Sequence, residues 1–147
     1  MQDHRPKNIF FAAMKTGASF ESGYGELHGV INNYDKVEAN EGHVFSGQNG
    51  KFKVPVAGWY ALTVSATSGS EKHQTYVSVF KNEFSEAGRY QTFWDGNTLD
   101  RYNSLSGSWV MKLDQGDEVF LAVTIGKLRV TSVIFVNFTG YLIKADE

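Results

Sequence analysis

The chain has 147 residues, no cysteine and a net charge of −2, so it fits one domain that must bury about 70% of its unfolded surface without disulfide or zinc knuckle. Lys and Arg form no block and the pI is near 6.1, which argues against a nucleic-acid surface. No apolar run reaches the roughly 20 residues of a membrane helix, and the polar start, MQDHRPKN, has no apolar centre and is no signal peptide.

Residues 1–8 read as a loose arm, and Ile9 to Met14 as a short strand. Thr16 to Gly29, rich in Gly and Ser, reads as loops and short strands. Asn40 to Leu62 is the most informative stretch. A turn cluster from Ser46 to Gly50 separates two alternating runs, and Asn49-Gly50 supplies the positive-φ residues of a tight hairpin. Pro55 cannot donate to a ladder and marks a strand end or edge. Val54 closes one strand and Trp59 to Ser65 opens the next, with Trp59 and Tyr60 as core or interface residues. Tyr76, Ser78 and Phe80 alternate with Val77 and Val79, the period of a strand.

Ser-Gly pairs at 68–69 and 106–107, and Asp114 to Asp117, read as turns. Trp109 to Leu113 and Val119 to Val123 are strands on either side of Gly116-Asp117. Ser132 to Ile143 is a long apolar strand that closes the chain, leaving residues 145–147 as a tail. Turn signals at roughly 8–12-residue spacing with no sustained helical period argue one all-β domain over 9–144, an antiparallel sandwich or jelly roll.

The closing strand carries a parity signal. Ile134, Val136, Phe138 and Leu142 share one face, and Val133, Phe135, Asn137, Thr139 and Tyr141 the other. Both faces are largely apolar, so both need cover. A second sheet covers one, and another subunit is the simplest cover for the other. A long loop over a central strand is the alternative.

Several words, in order, resemble the C1q-type globular head domain, a relative of the tumour-necrosis-factor jelly roll. Phe10-Phe11-Ala12 is similar to its opening strand. Asn40, Gly42 and Phe45, then Gly50-Lys51-Phe52, Pro55, Gly58 and Tyr60, follow at family spacing. Val77 to Asn82 resembles the mid-domain strand and turn. Ser106-Gly107-Ser108 leads into Val110, Leu113, Gly116-Asp117 and Val119 to Leu121, and Phe138-Thr139-Gly140-Tyr141-Leu142 resembles the terminal signature. The resemblance implies a ten-stranded antiparallel jelly-roll sandwich, secreted and assembled as a homotrimer around aromatic and aliphatic residues, with ligands on outer or apical loops. Many members carry a collagen-like Gly-X-Y stalk that this sequence lacks, so a head-only protein or an excised domain is expected.

No Gly-x-Ser-x-Gly elbow, His-Glu-x-x-His or phosphate-binding glycine loop is present, and Gly50-Lys51 runs into Phe52. His4, His28, His43 and His73 are scattered over loop-like segments, where solvated side chains are the rule. An enzyme is not expected.

Asp95-Gly96-Asn97 and Asp100-Arg101-Tyr102-Asn103 gather short polar side chains in one glycine-containing stretch. Calcium takes six to eight oxygens from carboxylates, amides and carbonyls, which such a loop can supply. Its order is not that of an EF-hand. Several C1q-type heads hold calcium with two acids whose positions here are Asp95 and Asn103; the resemblance thus implies a calcium site weakened by a neutral amide. A loop of solvated, turn-forming Asp and Asn is the alternative. The stretch from Tyr90 to Tyr102 also reads as a glycan loop. Arg101 is placed to pair a sugar carboxylate such as that of sialic acid, and Tyr102 to give a platform. The alternative is that Phe93 and Trp94 are strand residues packed in the core or a trimer contact, and Trp94 is read that way. Asn137-Phe138-Thr139 is a formal glycosylation sequon inside the closing strand and is read as unused.

The expected function is pattern recognition of microbial or host glycans by a lectin-like trimer, with avidity from its three copies. A signalling ligand for a cell-surface receptor and a trimerising matrix protein are the readings from other classes.

Overall fold

Alternating apolar side chains and tight turns build the chain into two antiparallel sheets. The computed structural model describes residues 8–69, 74–96 and 102–147. Its strands are β1 (Phe10–Lys15), β2 (Gly25–Val30), β3 (Lys36–Glu41), β4 (Phe45–Ser46), β5 (Lys51–Lys53) and β6 (Gly58–Thr67). They continue with β7 (Thr75–Lys81), β8 (Arg89–Asp95), β9 (Ser104–Leu113), β10 (Glu118–Val130) and β11 (Val136–Ala145). One sheet runs β3-β1-β11-β6-β9 and the other β4-β5-β10-β7-β8, with β2 paired to β10. The all-β sandwich is as expected, with eleven strands among the described residues where ten were expected.

The inner faces interlock through aromatics. Phe11 stacks on Phe45 with centroids 4.7 Å apart and meets Phe138 edge-on at 5.0 Å. Phe52 packs against Tyr60 at 5.4 Å. All five are buried, and each removes roughly 1.5–3 kcal/mol worth of apolar surface from water. Gly140 in β11 leaves room for this cluster, since a Cβ there would lie 2.6 Å from the Phe11 ring.

The hairpin read from Asn49-Gly50 is present. Phe45 pairs Phe52 and Ser46 pairs Lys51, Gly50 has φ +74°, and its N–H donates to the Ser46 carbonyl at 2.8 Å. Asn40 braces the entry. Its amide oxygen accepts from the Val44 and Phe45 N–H groups at 2.9 and 3.0 Å, and its amide nitrogen donates to the Phe45 carbonyl at 2.8 Å. Pro55 stands between β5 and β6, as a strand end requires.

Three segments differ from the sequence reading. The closing strand starts at Val136 rather than Ser132. The preceding residues turn on Thr131, whose hydroxyl accepts the Val133 and Ile134 N–H groups at 3.2 and 3.0 Å, and Val133 is left 82% exposed. Ser106-Gly107 lies inside β9 rather than in a turn. Gly107 is there for proximity, because a Cβ would sit 2.3 Å from the Phe93 ring. The strand begun at Val119 continues to Val130, through an irregularity between Val123 and Leu128.

Candidate ligand-binding site

Register fixes the poles of the sandwich. Phe10 pairs Tyr141, and Gly58 pairs both Ala145 and Leu113, so these residues share one pole. Thr67 pairs Ser104 at the other end of the same ladder. At that second pole four segments meet. The Ser68 N–H donates to the Asn103 carbonyl at 2.8 Å and the Asn103 N–H donates to the Ser68 hydroxyl at 3.0 Å. Ser68 bridges to Leu128, and the Gly69 N–H donates to the Lys127 carbonyl at 2.8 Å. The β2–β10 register then sets Glu26 opposite Arg129 and Gly25 opposite Val130.

This convergence brings Tyr102 to Arg129. The Arg129 guanidinium carbon lies 4.3 Å from the Tyr102 ring centroid and 4.7 Å from that of Tyr24, both close enough for cation–π attraction. Tyr24 and Tyr102 are exposed. Among the described residues Arg129 has neither an ion pair nor a hydrogen bond from its guanidinium, although Glu26 stands opposite it in the ladder.

Asp95 ends β8, paired with Thr75, and Asn103 lies at the entry to β9. The Asn103 side-chain nitrogen is buried without a hydrogen-bond partner. Asp100 and Arg101 lie outside the described residues. No three His, Asp or Glu side chains are grouped to hold a metal among the described residues. Asp95 and Asn103 give one carboxylate and one amide, and do not by themselves meet calcium's need for six to eight oxygens.

The first half of the stretch read as a glycan loop is strand, because Tyr90 to Asp95 belong to β8. Phe93 packs on the core, 5.4 Å from Trp109. Trp94, expected inside or at a contact, points out of the single chain, 60% exposed and 5.7 Å from Tyr76. Strand alternation explains the pair, since Phe93 faces in and its neighbour must face out. The reading missed Arg129 and Tyr24. Continuing the alternation Leu128-Arg129-Val130 past Val123 would have placed Arg129 on an outer face.

The outward face of the β3-β1-β11-β6-β9 sheet is the second feature. Phe10, Trp59, Val110 and Tyr141 are exposed there, while Tyr60, beside Trp59 in sequence, is in the core. Thr63 and Thr139 join their hydroxyls across the β6–β11 ladder on the same face. Asn137 of the sequon is half-buried on this face, between Met14 and Ser65.

The C1q domain family matches residues 9–143. Complement C1q tumor necrosis factor-related protein 3 of Mus musculus is 30% identical over 115 residues, covering 78% of this chain and 44% of that protein. Complement C1q tumor necrosis factor-related protein 2 of Homo sapiens is 33% identical over 121 residues, covering 78% of this chain and 39% of that protein. The chain thus spans less than half the length of these curated relatives. In fold it is similar to the globular domain of zebrafish complement 1qA, with TM-score 0.72 at 18% identity over 95% of this chain and 100% of that one. It is also similar to Eiger TNF from S. frugiperda, with TM-score 0.65 at 15% identity over 95% and 96% of the two chains. Two facing antiparallel sheets, and a family match over nearly their whole length, place this chain in the C1q domain family.

Proposed function

We propose that the chain is the ligand-binding head of a secreted homotrimer that recognises glycans in innate-immune pattern recognition. The observation that carries the reading is the apolar outer face of the β3-β1-β11-β6-β9 sheet, where Phe10, Trp59, Val110 and Tyr141 stand uncovered. A surface of that kind favours burial against copies of itself. Assembly through it leaves the pole of Tyr102 and Arg129 free in every copy, and three weak sites on one particle bind a repetitive sugar surface with avidity.

Within this reading the 95–103 segment contributes Arg101 and Tyr102 to sugar contact. Asp95, Asn103 and Asp100 contribute oxygens to an accessory calcium ion. The chain is assigned no catalytic step.

Light scattering followed by a glycan array tests the proposal. A particle of three chains with saturable sugar binding is the expected result; a monomer, or a trimer that binds no sugar, overturns it. A signalling ligand for a cell-surface receptor is the second reading. It is favoured by the tumor necrosis factor-related names of the relatives and by the likeness to Eiger TNF. Saturable binding to cells that competing sugars leave unchanged would select it. Silence in both assays would select a trimerising matrix role.

A further inference from the structure

We infer that Arg129, held between Tyr24 and Tyr102, is the carboxylate-reading residue of a sugar-acid site at the pole remote from the chain ends. The inference deepens the glycan reading and rests on it for the sugar half of the ligand.

Arg129 has left its natural partner. Arg129 and Glu26 are direct cross-strand neighbours, a placement that ordinarily gives an ion pair. They form none; the guanidinium lies instead 4.3 and 4.7 Å from the two tyrosine centroids. Tyr24 and Tyr102 make no ring contact with each other, so the cation separates them rather than capping a stacked pair. Contact with two rings limits the approach of water to the faces of the planar cation. Its N–H groups lie in the plane, and the described residues accept from none of them. A guanidinium so fixed has lost side-chain freedom before any ligand arrives, which removes part of the cost of binding.

An in-plane fork of N–H donors matches a carboxylate through two parallel hydrogen bonds. The surroundings narrow the class further. Glu26 adds a negative charge beside the cation, which penalises polyanions such as heavily sulfated chains but offers an acceptor to a neutral hydroxyl. The phenol groups of Tyr24 and Tyr102 add donors and acceptors on exposed, flat apolar rings, suited to the C–H faces of a pyranose. One carboxylate, several hydroxyls and an apolar ring face together describe a sialic or uronic acid.

The test follows the Arg129 Nε–Hε resonance in the full chain during titration with four probes. These are N-acetylneuraminic acid, methyl β-glucuronide, the neutral methyl β-glucoside and the non-sugar acid N-acetylglutamate. The resonance is expected to shift with the two sugar acids and to stay with the glucoside and N-acetylglutamate. Arg129→Gln should weaken sugar-acid binding about tenfold or more, Arg129→Lys should restore only part, and Tyr24→Ala should weaken it several-fold. Because the resonance is read in the unaltered protein, a variant that fails to fold leaves the test intact. Sugar acids that bind with the resonance unmoved and with Arg129→Gln unaffected overturn the assignment while the glycan reading stands. An equal response to N-acetylglutamate overturns the sugar assignment. Binding of no sugar at all overturns both.

Discussion

Phe10 and Tyr141 face each other across the β1–β11 ladder on the side away from the core, 40% and 51% exposed. Their neighbours along the same row are Ala61 in β6 and Val110 in β9, so the row is uncharged across four strands and meets a charge only at the edge strand, where Glu41 of β3 pairs Phe10. Water is a poor partner for such a row, and a second copy is a good one. Tyr141→Asp should give a monomer by light scattering, a mass one-third that of the parent, whereas Tyr141→Phe should keep the assembly. A normal trimer from the Asp variant would show that this row is not the contact.

Two buried phenols set an alkaline limit on stability. Burial raises the Tyr60 hydroxyl from 10.0 to about 12, and raises Tyr34 further, where burial is the only cause. Both stay protonated in the folded state while the unfolded chain ionises. Their contribution is complete below pH 10 and is lost as pH climbs toward 12, at about 1.4 kcal/mol per pH unit for each phenol. Lys15 runs the other way. Burial, outweighing the attraction of Asp35, holds it below 10.5, so its folded-state charge penalty is relieved as pH rises toward that value. Chemical denaturation from pH 8 to 12 should therefore show a steep net fall above pH 10, abolished in large part by Tyr34→Phe with Tyr60→Phe.

At neutral pH the same two substitutions should separate. The Tyr60 hydroxyl donates to the Val56 carbonyl at 2.6 Å, so Tyr60→Phe should cost about 1–2 kcal/mol by leaving a buried acceptor unmet. The Tyr34 hydroxyl is buried with no partner, so Tyr34→Phe should be neutral or stabilising by up to about 1 kcal/mol. Equal destabilisation by both in urea titrations would mean that Tyr34 has a partner after all.

Asn40 holds three backbone groups of the 43–45 turn with one side chain. Asn40→Ala should cost about 2–3 kcal/mol, since each half-buried hydrogen bond contributes roughly 1. Asn40→Asp keeps the acceptor for Val44 and Phe45 and loses the donor to the Phe45 carbonyl, so it should cost less. A midpoint shift in guanidinium with unchanged slope is the expected signature.

For calcium the comparison is thermal. If Asp95 supplies a ligand, calcium raises the parent melting temperature and leaves Asp95→Ala unmoved, with both equal in chelator, because an ion bound only by the folded state stabilises it. Identical curves for the parent with and without the ion would remove the site.

Turn chemistry made the fold legible. Gly50 and Pro55 act locally, through φ and a missing donor, and both appear where the sequence puts them, although Asn49 does not share the positive φ of its neighbour. Glycines that serve proximity are harder to read. Gly107 resembles a turn residue beside Ser106, yet it is there because Phe93, distant in sequence, lies against the β9 backbone. The site was half legible for the same reason. Tyr102 could be picked from its polar neighbours, but Arg129 comes to it through the β2–β10 register and the Ser68–Leu128 bridge, and no local pattern encodes long-range register.

The adjacency of β1 and β11 has a practical side. β1 begins and β11 ends at one pole, while Arg129 and Tyr102 occupy the other. A tether placed where β11 ends would hold the head with the Arg129 pole turned outward, so oriented immobilisation on a sensor needs no redesign. Joining the two ends with a short glycine linker and reopening the chain at the exposed turn around Val133 would yield a circular permutant. Its new ends would emerge at the pole of Arg129 and Tyr102 with the ladder pairing of both sheets intact.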